Sequence, residues 1–110
     1  MIPSCMLQDP IEITPERRLQ IVEELLRIDD AVTEYMVLDV APTATRTEIQ
    51  ARYFALAKTF HPDTEFRKRM GHYRGLLEMI CTRHARAYDV LGRARSRAAY
   101  DATLTPRRAP

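Results

Sequence analysis

The sequence predicts an all-α domain built around an antiparallel pair of helices. Three observations carry that expectation. Apolar residues recur at helical spacing along most of the chain, helix-start signals stand in front of these stretches, and strand-like alternation is absent throughout. The 110 residues make one domain at most. That length buries a modest core and leaves little for an enclosed substrate cavity. The net charge of +2 hides an asymmetry: residues 1–34 hold three arginines against eight acids, a net −5, and residues 35–110 hold fourteen Lys and Arg against seven acids, a net +7. Such a division suggests internal complementarity, or an acidic partner for the basic body.

Residues 1–13 are irregular, with two prolines and no period. A leading helix over 14–33 is predicted by Thr14 as N-cap, Pro15 at the first helical position and Glu16 in the first turn. Its apolar stripe is Ile21, Leu25, Ile28 and Val32, widened by Val22 and Leu26, with Glu23, Glu24, Asp29 and Asp30 on the other face. The stripe is expected to pack onto the domain rather than to form a separate dimerisation surface. A short apolar element over 35–40 ends in a loop at Ala41-Pro42, and Thr45-x-x-Glu48 is a capping box that opens the next helix. On that helix Ile49, Tyr53, Leu56 and Phe60 share a stripe, and it stops at His61 because a pre-proline residue is pushed out of the α region. After the break "HPDTEFRKRM", a helix from about Gly71 to Leu91 carries Tyr73, Leu77, Ile80, His84, Ala87 and Leu91 on one face, with Gly92 as its C-cap. A last helix runs from Arg93 to about Leu104, and 105–110 form a tail or the start of a linker.

Four pieces of this pattern stand in register: "YMVLDVAPTATRTEI" at 35–49, "HPD" at 61–63, "AYDVL" at 87–91 and "RAAYD" at 97–101. Together they resemble the J-domain of the DnaJ co-chaperone family over roughly 34–104, with the leading helix resembling an extension found before such domains in some larger bacterial proteins. The resemblance implies a hairpin of the family's second and third helices, short flanking helices and an additional N-terminal helix. It further implies docking on the ATP-bound form of a DnaK-type heat shock 70 kDa chaperone, whose ATP hydrolysis the module stimulates without doing chemistry of its own. By similarity His61, Pro62 and Asp63 sit at the hairpin tip, where the aspartate engages an arginine of the chaperone's nucleotide-binding domain. Tyr53, Phe54 and Lys58 on the preceding helix complete the expected contact set. Physical chemistry is compatible with these roles: Pro62 releases the tip from helical geometry, and Asp63 offers a carboxylate that the planar fork of an arginine binds bidentately.

Departures from the family pattern are informative. The helix before the break usually presents a basic cluster, whereas Gln50, Phe54 and Ala55 stand at corresponding positions here and Thr64 follows the tripeptide. Electrostatic steering by this face is therefore expected to be weak, and Phe54, well off the apolar stripe, is expected to be exposed. Asp39 replaces a glycine usual after Leu38, and Arg52 replaces a small residue. The alternative function is a J-like interaction scaffold with lost or altered chaperone coupling.

Other functions fare less well. The arginines at 83, 86, 93, 95 and 97 suit a solvated basic face partly paired with the acidic leading helix, so no nucleic acid is expected. Cys81 and His84 share a helix face, but a metal site needs further ligands, so both are expected in the core; no metal or other cofactor is expected, and a buried His84 needs a hydrogen-bond partner. Without a nucleophile–base pair or a Gly-rich loop, the chain is not expected to be an enzyme. No membrane span or signal peptide is visible, which suggests a cytoplasmic module, and other domains of a longer protein are possible partners.

Overall fold

The computed structural model describes residues 12–61 and 69–104 of the chain. Five helices follow one another there: α1 Pro15–Asp29, α2 Glu34–Leu38, α3 Arg46–Phe60, α4 Tyr73–Leu91 and α5 Ala94–Leu104. No strand occurs among the described residues, so the fold is all-α as predicted. Helix α4 is the central element and packs against the other four. Helices α3 and α4 run antiparallel. Tyr53 faces Tyr88 and Phe60 faces His84, the descending order such a pair requires.

Local chemistry explains where each helix starts. Thr14 Oγ1 accepts from Arg17 N at 3.1 Å to cap α1, and Thr33 Oγ1 accepts from Met36 N at 3.1 Å to cap α2. At α3 the capping box closes in both directions, Glu48 N to Thr45 Oγ1 at 3.1 Å and Thr45 N to Glu48 Oε1 at 2.7 Å. Helix α4 begins at Tyr73, two residues later than predicted, because Gly71 takes a left-handed conformation at φ 56°.

The helix α1 ends at Asp29, short of the predicted 33, where two successive acids oppose the helix dipole and the chain turns toward the cap of α2. Val32 lies in that turn and is 80% exposed, and Leu26 is 59% exposed, so neither belongs to the packed stripe. The buried positions of α1 are Ile21, Glu24 and Ile28. Glu24, placed on the outer face by the sequence reading, is therefore an inner residue.

Asp39 closes α2 at φ 58°, the one non-glycine with positive φ among the described residues. That conformation explains the glycine usual at this point. Arg52 reaches back from α3, donating to Leu38 O at 3.2 Å and Asp39 Oδ2 at 2.8 Å. Two departures that look independent in sequence thus form one contact.

The far end of the bundle is held by α5. Tyr35, 1% exposed, donates to Asp101 Oδ1 at 2.5 Å and accepts from Arg97 Nε at 2.9 Å, while the Arg97 guanidinium lies 5.3 Å from its ring centroid. Burial, followed by the hydrogen bond to Asp101, pushes the Tyr35 hydroxyl pKa up. Tyr100 Oη accepts from Glu34 N at 2.8 Å. The "RAAYD" segment is thereby tied to the start of α2, which accounts physically for two of the four sequence pieces.

Candidate recognition face on α3

The exposed side of α3 runs toward the break that follows it. Ile49, Leu56 and Phe60 turn inward, and Gln50, Phe54, Ala55 and Lys58 turn outward. Phe54 is 55% exposed, as its position off the stripe predicts, and Lys58 lies one turn further along. His61 closes α3 in extended geometry (φ −66°, ψ 137°), exposed, with its backbone N donating to Ala57 O at 2.9 Å. The fold thus brings Phe54, Lys58 and His61 along one end of α3. Pro62 and Asp63, the other two predicted contact residues, lie outside the described residues.

Tyr53 serves packing first. Its ring is stacked on Tyr88 of α4, centroids 4.3 Å apart and planes 1° apart, and it is half-buried. Burial, with the neighbouring Cys81 and Tyr88, pushes its hydroxyl pKa up, so it remains a neutral phenol in the physiological range. Phe54 leans on the same pair, 5.7 Å from Tyr53 and 6.3 Å from Tyr88. Tyr88 was not singled out in the sequence, although its place beside the α4 stripe allowed it. Gly92 makes room for it: a Cβ there would stand 2.7 Å from Tyr88 O and 2.9 Å from Tyr88 Cε1. The glycine ends α4 at φ −79°, so close approach, not left-handed geometry, is what this position requires.

A buried polar cluster lies one turn back along α4, where α1 joins it. His84 Nε2 meets Glu24 Oε2 at 2.6 Å, with His84 1% and Glu24 8% exposed. Arg27 grips the same carboxylate with two hydrogen bonds of 2.8 and 2.6 Å and donates to Met36 O and Val37 O at the end of α2. Burial pushes the Glu24 pKa up, but the Arg27 and His84 hydrogen bonds and charges outweigh it and hold the carboxyl at about 2. Because that acceptor is ionised, Nε2 of His84 carries a proton. Nδ1 is buried without a partner among the described residues. Glu24 is thus the partner His84 needed, and one network joins α1, α2 and α4.

Cys81 is only half-buried, beside Tyr53 rather than in the core. The basic face pairs with acids outside α1: Arg83 with Glu34 at 2.6 Å and Arg93 with Asp89 at 3.3 Å. Among the described residues no three His, Cys, Asp or Glu side chains are grouped to hold a metal ion, and no helix is long and apolar enough to cross a membrane.

The family model described as DnaJ domain matches residues 33–101. A curated relative, the Chaperone protein DnaJ of Rickettsia akari (strain Hartford), is 39% identical over 67 residues, which cover 61% of this chain and 16% of the relative. No solved structure gives a significant match.

Proposed function

The chain belongs to the DnaJ domain family, and from that premise we propose that it is a co-chaperone module acting on a DnaK-type heat shock 70 kDa chaperone. In this reading the module binds the ATP-bound form in the cytoplasm and stimulates ATP hydrolysis by the partner, while contributing no catalytic group itself. The observation that carries it is the continuity of the exposed Phe54–Lys58 face with His61 at the end of α3, immediately before Pro62 and Asp63. Asp63 supplies the carboxylate for a partner arginine, Lys58 a cation, and Phe54 an apolar contact. Tyr53 and Tyr88 hold the Phe54 ring on a stacked base.

The test is single-turnover ATP hydrolysis by a DnaK-type chaperone with the wild-type chain and with Asp63→Asn, which keeps the shape and removes the charge. Stimulation by the wild type, with a loss of at least about tenfold in the variant, is expected. Equal and negligible effects from both chains would remove the proposed activity. The uncharged centre of the α3 face, Gln50, Phe54 and Ala55, favours a second reading in that event: an interaction scaffold of the same fold without chaperone coupling.

A further inference from the structure

The segment leading into α1 touches both ends of the break between α3 and α4. On one side, Glu12 pairs with Arg69 through two hydrogen bonds: Glu12 N donates to Arg69 O at 2.6 Å, and Arg69 N donates to Glu12 Oε1 at 2.8 Å. Both backbone groups of Arg69 are thereby satisfied by one residue. On the other side, Arg17 donates to Thr59 O at 2.5 Å, one of the carbonyls that the end of α3 leaves without a helical partner, and its guanidinium lies 5.5 Å from the Phe60 ring centroid. A cation at that helix end also suits the dipole of α3. Gln20 Oε1 accepts from Arg17 at 2.7 Å and fixes its direction.

The base of this clamp is buried. Ile13 is 2% exposed, Met70 3% and Phe60 6%, so the strands of chain entering and leaving the break are anchored in the core beside the clamp residues. Arg18 donates to Ile13 O at 2.8 Å and lies 5.9 Å from the Tyr73 ring centroid, tying the same segment to the start of α4. Within seven residues, Glu12, Arg17 and Arg18 hold Arg69, Thr59 and Tyr73.

We infer that the segment 12–18 is a brace that sets the separation of the two ends of the recognition loop, and that Glu12 and Arg17 are positioning residues for chaperone docking. The inference rests on the proposed function for its consequence, but its geometry stands on described contacts alone. A segment whose two ends are already fixed relative to each other loses less freedom on binding, so removing the brace weakens apparent affinity by the fraction of molecules still competent. The leading helix then has a role beyond enlarging the core: α1 delivers the brace, and the Glu24–Arg27–His84 cluster anchors α1.

The test uses the full chain with Glu12→Ala/Arg17→Ala, read in two ways. In the chaperone assay, the concentration of module giving half-maximal stimulation is expected to rise about three- to tenfold, while the maximal rate stays within about twofold. Glu12→Gln, which keeps the Oε1 acceptor, is expected to match the wild type. Tyr100→Phe removes the acceptor for Glu34 N at the far end of the bundle and serves as a control for destabilisation; it should leave half-saturation unchanged. Amide hydrogen exchange provides the second reading, with Arg69 N–H expected to exchange at least about tenfold faster in the double variant. Unchanged half-saturation in a stimulating chain overturns the inference. If the wild type does not stimulate, the proposed function fails instead, and unchanged exchange at Arg69 then overturns the brace by itself.

Discussion

Two successive turns of α4 are built on opposite terms. At His84 it buries a histidine against a carboxylate and an arginine of α1, all three hydrogen-bonded, with Glu24 and His84 standing 60 residues apart in sequence. One turn on, it presents Tyr88 to a stacked Tyr53, and beyond that pair Phe54 stands 55% exposed. Charge is used where water is excluded, and an aromatic ring is left where water is present. The first arrangement is costly to disturb, because each member leaves an uncompensated polar group behind if its partner goes. In the second, the exposed Phe54 ring costs little to disturb in the isolated chain. The difference separates a buried cluster that maintains the fold from an exposed ring at its edge.

The comparison breaks most sharply at Glu24. Glu24→Ala leaves Arg27 and the His84 imidazole without their carboxylate, and a loss of about 3–5 kcal/mol is expected in urea unfolding with an unchanged m-value. Joint replacement of Glu24 and His84 by leucine should recover at least about half of that, since an apolar pair leaves less unsatisfied. At temperatures where these variants remain folded, stimulation of the chaperone should persist.

Acid titrates the same cluster with a definite sign. The folded-state pKa of Glu24, about 2, lies below its ordinary value of 4.5, so its contribution is fully present above about pH 4.5. It is lost progressively as the pH falls from there toward 2, a change on the order of 3 kcal/mol for a shift of that size. Denaturant midpoints measured from pH 6 to pH 2.5 should fall steeply in the wild type and less steeply in Glu24→Gln. Parallel curves for the two chains would show that the carboxylate does not carry the acid sensitivity.

What the sequence made legible follows from how local each signal is. Thr14, Thr45 and Glu48 act within one helical turn, so their caps could be read directly, and the inward residues of α4 from Leu77 to Leu91 follow from period alone. Family resemblance, not local signal, pointed to the tripeptide at 61–63 and to the face of α3 before it, where Phe54, Lys58 and His61 are exposed. Glu24 resisted because its acidity outweighs its position: it lies between Ile21 and Ile28 on the buried arc, and only a partner on another helix makes that placement tolerable. The need of a buried His84 for a partner was visible, but the partner was not. Asp39 and Arg52 resisted for a similar reason, since a left-handed backbone and the side chain that reaches it meet across 13 residues. Tyr88 was passed over because a half-buried tyrosine beside a stripe has no local signature.

The smallest expected effect on stability belongs to Phe54, and it is the most telling about the exposed side. More than half of its surface already faces water, so Phe54→Ala should change unfolding free energy by less than about 1 kcal/mol. Its effect on docking should be larger, about five- to tenfold in half-saturating concentration, the size expected for an aromatic anchor at an interface. Phe54→Lys separates the two ways such a face can work. If the partner surface is acidic, the added cation restores affinity at low ionic strength, and the gain fades as salt rises and screens it. If the partner offers an apolar recess for Phe54, lysine is as poor as alanine at every salt concentration. Half-saturation measured for the three chains between about 50 and 300 mM salt distinguishes the two cases. The aromatic pairing with Tyr53 and Tyr88 favours the second outcome, because a ring already seated on a stacked pair loses little freedom on binding.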